Sequence, residues 1–184
     1  METQLDLGKL VEELRIADIV SAPLTDEQTR VLERVYHAAK TRSIGGNGVS
    51  SVLYLALGVA GPFSRDSINT AAVNSTFEND LPQTNTPATG DVCAWHSNAL
   101  LYIQNGFYTS TLRHLGVVLG SRDNVPYVAH QVVGNILIES VSDVTERVDS
   151  RARIDFRHEY KGVLAVKYHS LDNVLAKRAD FLRR

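Results

Sequence analysis

The chain has 184 residues, of which 43% are hydrophobic and 22% charged, with 19 basic side chains against 21 acidic ones. Charge so evenly balanced argues against a nucleic-acid or membrane-surface partner, which a basic stripe or tail would announce. One cysteine excludes an intramolecular disulfide and a cysteine-rich zinc site, and no apolar run reaches the roughly 20 residues of a membrane span, so membrane insertion is not expected.

In chain order, Leu7, Leu10, Val11 and Leu14 fall at helical spacing within 5–20, and Ser21-Ala22-Pro23 breaks that helix. Thr25-Asp26-Glu27-Gln28 then has the form of a capping box. It opens a helix that buries Val31, Leu32, Val35 and Ala39 and ends near Lys40. Ser43-Ile44-Gly45-Gly46-Asn47-Gly48 is dense in glycine and predicts a tight, shaped loop. It leads into Ser50-Ser51-Val52-Leu53-Tyr54-Leu55-Ala56-Leu57, a buried helix stopped by Gly58. A shorter helix is expected over 65–74, and Glu78 to Thr89 reads as a surface loop.

The second half is strand-like. Asp91–Trp95, Leu115–Leu119, Tyr127–Val133, Ile136–Ile138 and Val163–Tyr168 are short, rich in β-branched residues and bounded by turn residues. Asp123-Asn124 and Gly134-Asn135 suit hairpin turns. Ser170 can cap a last helix whose basic end, Lys177 to Arg184, suits the negative helix terminus. Helices first and an antiparallel meander afterwards predict a single α+β domain, 1-184. Its parts are N-terminal helices in 1-42, a central helix in 43-60, the antiparallel sheet in 90-168 and a C-terminal helix in 170-184.

A thiol or serine hydrolase needs a nucleophile, a base within hydrogen-bond reach and a group that orients the base. A helix N-terminus favours the nucleophile because its unpaired amides stabilise a developing anion. Val49-Ser50-Ser51-Val52 stands at such a helix start. Gly90-Asp91-Val92 opens the first strand, Arg113-His114-Leu115-Gly116 the second, and Tyr127-Val128-Ala129-His130 lies in the third. Each also has a plainer reading. A serine there can serve only as an N-cap, and His130 shares an apolar strand face with Val128 and Val132. Cys93 lies on a strand, away from any helix terminus, and reads as a core residue. His37, His158 and His169 lack metal-ligand spacing and read as surface residues, and a zinc site of His96, His114 and His130 is the minor alternative.

Helix start, Gly-Asp strand, His-Xaa-Gly strand and second histidine strand, in that order over 46–133, resemble the NlpC-type cell-wall peptidases, a papain-like family. The resemblance implies a papain-like α+β fold and cleavage of amide bonds in peptidoglycan stem peptides, or of another amide. It places Ser50 at the family's cysteine position, with Ser51 as the second alignment. His114 becomes the general base and His130 its orienting group, and the amides of Ser50 and Ser51 form the oxyanion site. No metal or organic cofactor is implied. A serine at a thiol position is either an engineered replacement or a natural loss, because an alcohol is far harder to ionise than a thiol. The reading from another class is a non-catalytic binding module that keeps the groove, with a protein among its possible partners. Met1-Glu2-Thr3-Gln4 lacks the basic and apolar start of a secretion signal. The expected location is therefore cytoplasmic, or outside the cell by a dedicated secretion system or phage lysis.

Overall fold

Strands β1 (Val92–Tyr102), β2 (Thr109–Arg122), β3 (Val125–Val132), β4 (Asn135–Ser140) and β5 (Leu164–His169) form one antiparallel sheet in the order β4-β3-β2-β1-β5. These elements come from a computed structural model that describes residues 7–21, 23–41, 48–59, 68–102, 109–155 and 164–182. Helices α1 (Leu7–Glu13), α2 (Asp26–Lys40), α3 (Gly48–Leu57) and α4 (Thr70–Ser75) precede the sheet. Helix α5 (Val141–Asp155) separates β4 from β5, and α6 (Leu171–Ala176) follows β5. The α+β class and the antiparallel sheet expected from the sequence are both present.

Strand alternation sorts the sheet's side chains onto two faces. Leu115, Val117, Leu119 and Ala129 join Leu32, Val35, Leu53 and Leu55 of α2 and α3 in the larger core. Cys93, Trp95, Val118 and Val128 turn the other way and pack on Val141 and Val144 of α5. The sheet is therefore sandwiched between α3 and α5, and the central strands are apolar on both sides over residues 92–95 and 115–119.

Helix α3 is pinned at its C-terminal end. Arg34 of α2 donates from Nε to the Leu55 carbonyl and from Nη2 to the Ala56 carbonyl, both at 2.8 Å. A cation on the last carbonyls satisfies acceptors the helix leaves open and complements its dipole. Gly58, at φ 63°, then turns the chain away. Helix α2 is itself fixed by the expected capping box: Thr25 Oγ1 accepts from the Gln28 amide, and the Gln28 side chain accepts from the Thr25 amide. At Gly120 the ladder has a bulge, between Val118↔Val128 and Gly120↔Tyr127. A Cβ there would stand 2.1 Å from the Ile19 carbonyl oxygen, so only glycine lets the N-terminal segment dock on β2.

Several expectations change. Helix α5 was not expected, because Val141, Val144 and Val148 are β-branched and suit a strand equally well. Its cap is legible in hindsight: Ser140 Oγ accepts from the Asp143 amide at 3.1 Å. Strand β2 begins at Thr109, so His114 sits within the strand and not at its start. The first helix ends at Glu13 and gives way to turns, with Arg15 at φ 58°. Part of the expected loop after Glu78 is a π-helical turn, Thr76–Asp80. Helix α6 stops at Ala176, so the basic stretch that starts at Lys177 follows the helix and does not form its last turn. His169 is 1% exposed, its Nδ1 near the Pro82 carbonyl and its ring edge-on to Phe77, so it is a core residue and not a surface one. His37 is exposed as expected. The glycine-rich run before Gly48, residues 65–67 and His158 lie outside the described residues.

The first hairpin turn is Asp123-Asn124 as expected, with φ values of 51° and 63°. The second is Val133-Gly134, at 46° and 81°, one residue earlier than expected. Register decides this: Ile136 and Ile138 must face the larger core opposite Gln131 and Ala129, and a one-residue slip would turn both outward. The cost falls on Val133, a β-branched residue held in left-handed backbone and 94% exposed. Val133→Asn should therefore raise stability by about 1 kcal/mol, since asparagine-glycine is the preferred pair for this turn. Urea denaturation checks this, and an unchanged or lower midpoint would show that the turn carries no strain.

Candidate active site

The centre of the site is two histidines on neighbouring strands. His114 Nε2 and His130 Nδ1 lie 2.8 Å apart, with the rings at 88° to one another. Their meeting follows from the sheet's face rule: His114 shares its face with Gly116 and Val118, and His130 shares its face with Val128. Gly116 is tightly confined, since a Cβ there would stand 3.2 Å from Val128 Cβ and 3.4 Å from the Trp95 ring. Trp95 supports His114 from below, with ring centroids 5.5 Å apart, and is itself tied to α5 by its Nε1 donating to Thr145 Oγ1 at 2.8 Å.

His130 is fully buried, and its Nε2 lies 2.8 Å from Glu139 Oε2 on β4. Glu139 Oε1 in turn receives Arg147 Nη2 of α5 at 2.5 Å. Sequence reading missed Glu139 and Arg147. The signal was a single acid ending the otherwise apolar run Ile136-Leu137-Ile138, on the strand next to His130.

Burial holds both histidines neutral. His114 is lowered to about 3, by desolvation first and then by His130 and Arg147. His130 is also lowered, because desolvation outweighs the pull of Glu139. Hydrogen-bond chemistry then assigns the tautomers. A carboxylate only accepts, so His130 donates from Nε2 to Glu139 and accepts at Nδ1. His114 must donate from Nε2 to His130, which leaves its Nδ1 as a lone pair. Glutamate, histidine and histidine thus form a directed relay ending in a base.

That base looks at the start of α3. A Cβ built on Gly48, the first residue of α3, would stand 3.9 Å from both Nδ1 and Cε1 of His114. Gly48 has an ordinary backbone and adds no side chain of its own. Ser50 lies in the same first turn and is 1% exposed. At about 100° per residue it stands roughly 200° around the helix from Gly48. Ser51 returns towards the Gly48 face, and its Oγ donates to Gln131 Oε1 on β3 at 2.5 Å. The structure thus joins His114 to His130 and Ser51 to β3, and it brings Gly48 of α3 to the edge of the His114 ring.

The other candidates have structural roles. Asp91 is buried, and its carboxylate accepts from the Ala88 amide at 2.9 Å and the Leu171 amide at 2.8 Å. It ties the start of β1 to α6, and burial raises its pKa. Cys93 is fully buried opposite Gly116, and desolvation pushes its thiol well up, as suits a core residue. His96 is buried with Nδ1 at 3.2 Å from Thr111 Oγ1, and burial lowers it to about 4. Among the described residues no three His, Cys, Asp or Glu side chains converge as metal ligands. No helix among them is long and apolar enough to cross a membrane.

Comparison with family models, with curated proteins and with solved structures gives no match for this chain.

The depressed histidines make acid a denaturant. Below the ordinary value of 6.5 the unfolded chain takes up protons that the folded chain refuses. Their stabilising contribution is complete above that pH and is lost as pH falls towards about 4 for His96 and about 3 for His114. From about pH 7 to about pH 5, stability should fall by about 1–2 kcal/mol per histidine. A His96→Gln/His114→Gln double variant should flatten this part of the urea-denaturation profile. An equal slope in parent and double variant would assign the loss to other groups.

Proposed function

We propose that the chain is a papain-like scaffold, resembling the NlpC-type peptidases, that keeps the acid–base relay but has vacated the nucleophile position, so that it binds its ligand without cutting it. The observation that carries this reading is the place of His114: the Nδ1–Cε1 edge of its ring lies beside Gly48 at the N-terminus of α3. In the family's order of motifs a thiol would stand at that helix start, and here the residue facing the base has no side chain. His130 and Glu139 then serve as positioning residues that fix the ring and its tautomer. By resemblance the ligand is a peptidoglycan stem peptide or another amide.

A second reading keeps the enzyme, with Ser50 as nucleophile and the amides of Ser50 and Ser51 as the oxyanion site. What favours it is the place of Ser50 in the first turn of α3, where amides have no partner within the helix itself. In that case His114 takes the hydroxyl proton as the oxygen attacks the amide carbonyl, and returns it to the leaving amine.

Thiol installation separates the two. Gly48→Cys introduces a Cβ at ordinary van der Waals distance from His114, so the fold should accept it. The new thiol would give its proton to Nδ1 and react with iodoacetamide, forming a carbon–sulfur bond as iodide leaves. A His-paired thiol at a helix start has a depressed pKa, so at about pH 6 it should label at least about tenfold faster than the thiol of Ser50→Cys. Adding His114→Asn should remove that advantage, and adding His130→Ala should reduce it less. Faster labelling of Ser50→Cys would overturn the vacated-site reading in favour of the Ser50 enzyme. Slow labelling of both would leave the relay with a structural role only.

A further inference from the structure

We propose that the cleft between α5 and the ends of β2 and β3 is a binding site for an amphiphilic anion, an acidic headgroup on an aliphatic body. The cleft encloses about 420 Å³, within the size range of small-molecule sites. His114 lies in its wall, so the inference deepens the binding reading above and rests on it for the site's purpose. It rests on the cleft's own chemistry for the ligand.

The wall is built from two kinds of side chain. Arg113 of β2 and Arg147 and Arg151 of α5 supply three guanidinium groups, and the described lining residues include no carboxylate. Leu112, Val132, Val148 and Ala152 supply the apolar surface. Helical spacing explains the pattern on α5: Arg147 and Arg151 are four residues apart, as are Val148 and Ala152, so each pair forms a row on one face. Val133, 94% exposed at its strained turn, adds an apolar lip. Glu139 lies behind this wall and pairs with Arg147, orienting that guanidinium between the relay and the cleft.

Cations beside apolar surface select a ligand with both properties. A guanidinium fork matches the planar oxygens of a carboxylate and the oxygens of a phosphate alike, so the headgroup is anionic oxygen in either form. A neutral ligand would gain from the apolar surface alone, and a cationic one would meet guanidinium groups with no carboxylate among the described lining residues.

Calorimetric titration of the full chain with octanoate, octyl phosphate, octanol and octylamine tests this. Octanoate or octyl phosphate should bind at least about tenfold more tightly than octanol, and octylamine should not bind. The tighter of the two anions identifies the headgroup. Arg113→Gln/Arg151→Gln should weaken the preferred anion by at least about tenfold while leaving octanol unchanged, and Val148→Asp should abolish binding of the anions. The histidine resonances of His114 should shift on titration. Equal binding of octanol and both anions would overturn the proposal, and so would anion binding indifferent to the arginine variants or leaving His114 unmoved. Failed anion binding with fast labelling of Gly48→Cys removes this ligand and keeps the vacated site. Anion binding with slow labelling keeps the cleft and removes the papain-like ancestry.

Discussion

A buried imidazole can hold its place and tautomer only if a neighbour fixes its proton, and in this protein the neighbour at the end of the chain is Glu139. Its two oxygens face opposite ways, one to His130 at 2.8 Å and one to Arg147 at 2.5 Å. The acid is therefore held by a cation through one oxygen while the other directs the buried side. Without Arg147 the acid would face burial alone. Without Glu139 the His130 proton could sit on either nitrogen and the base at His114 would lose its direction.

The rest of the architecture serves to bring these groups to one face. His114, His130 and Glu139 come from β2, β3 and β4, three consecutive strands joined by two-residue turns. Because side chains alternate, all three point to α5 only if each turn holds its register. At the second turn the core wins over local comfort: two isoleucines face inward, and Val133 takes a backbone conformation that β-branched residues avoid. On the opposite face Arg34 and Gly58 set the far end of α3, which leaves its N-terminus beside His114.

Much of this was legible in the sequence, and the illegible parts share a cause. The capping box at Thr25, the buried helix after it and the turn at Asp123-Asn124 depend on local chemistry and stood out. The pairing of His114 with His130 was expected from the resemblance in motif order, whereas strand parity alone read His130 as a core residue. Glu139 was not, because its role depends on lying beside Val128 across a strand pair and on an arginine from α5. Helix α5 was hidden by its valines, whose preference for strands was overridden by packing on Trp95 and Val128. His169 looked polar enough for the surface, but its place opposite Val92 on β5 carries it into the core against Phe77. Gly48 was obscured for another reason: a position defined by a missing side chain leaves no residue-type signal.

A neutral imidazole beside a charged side chain is also a detector of charge. His114 is neutral because burial, then His130, then Arg147, all disfavour a proton on it. Each of these is a balance of environment, and an anion placed at the Nδ1 edge or against Arg147 would offset them. In a thiol enzyme the thiolate would be that anion, and the relay would then carry a proton on His114 supported through His130 by Glu139. His114 also lines the cleft, so an anion held there would lie close to the ring. The same three side chains, His114, His130 and Glu139, thus couple the protonation of His114 to the charge placed against Arg147.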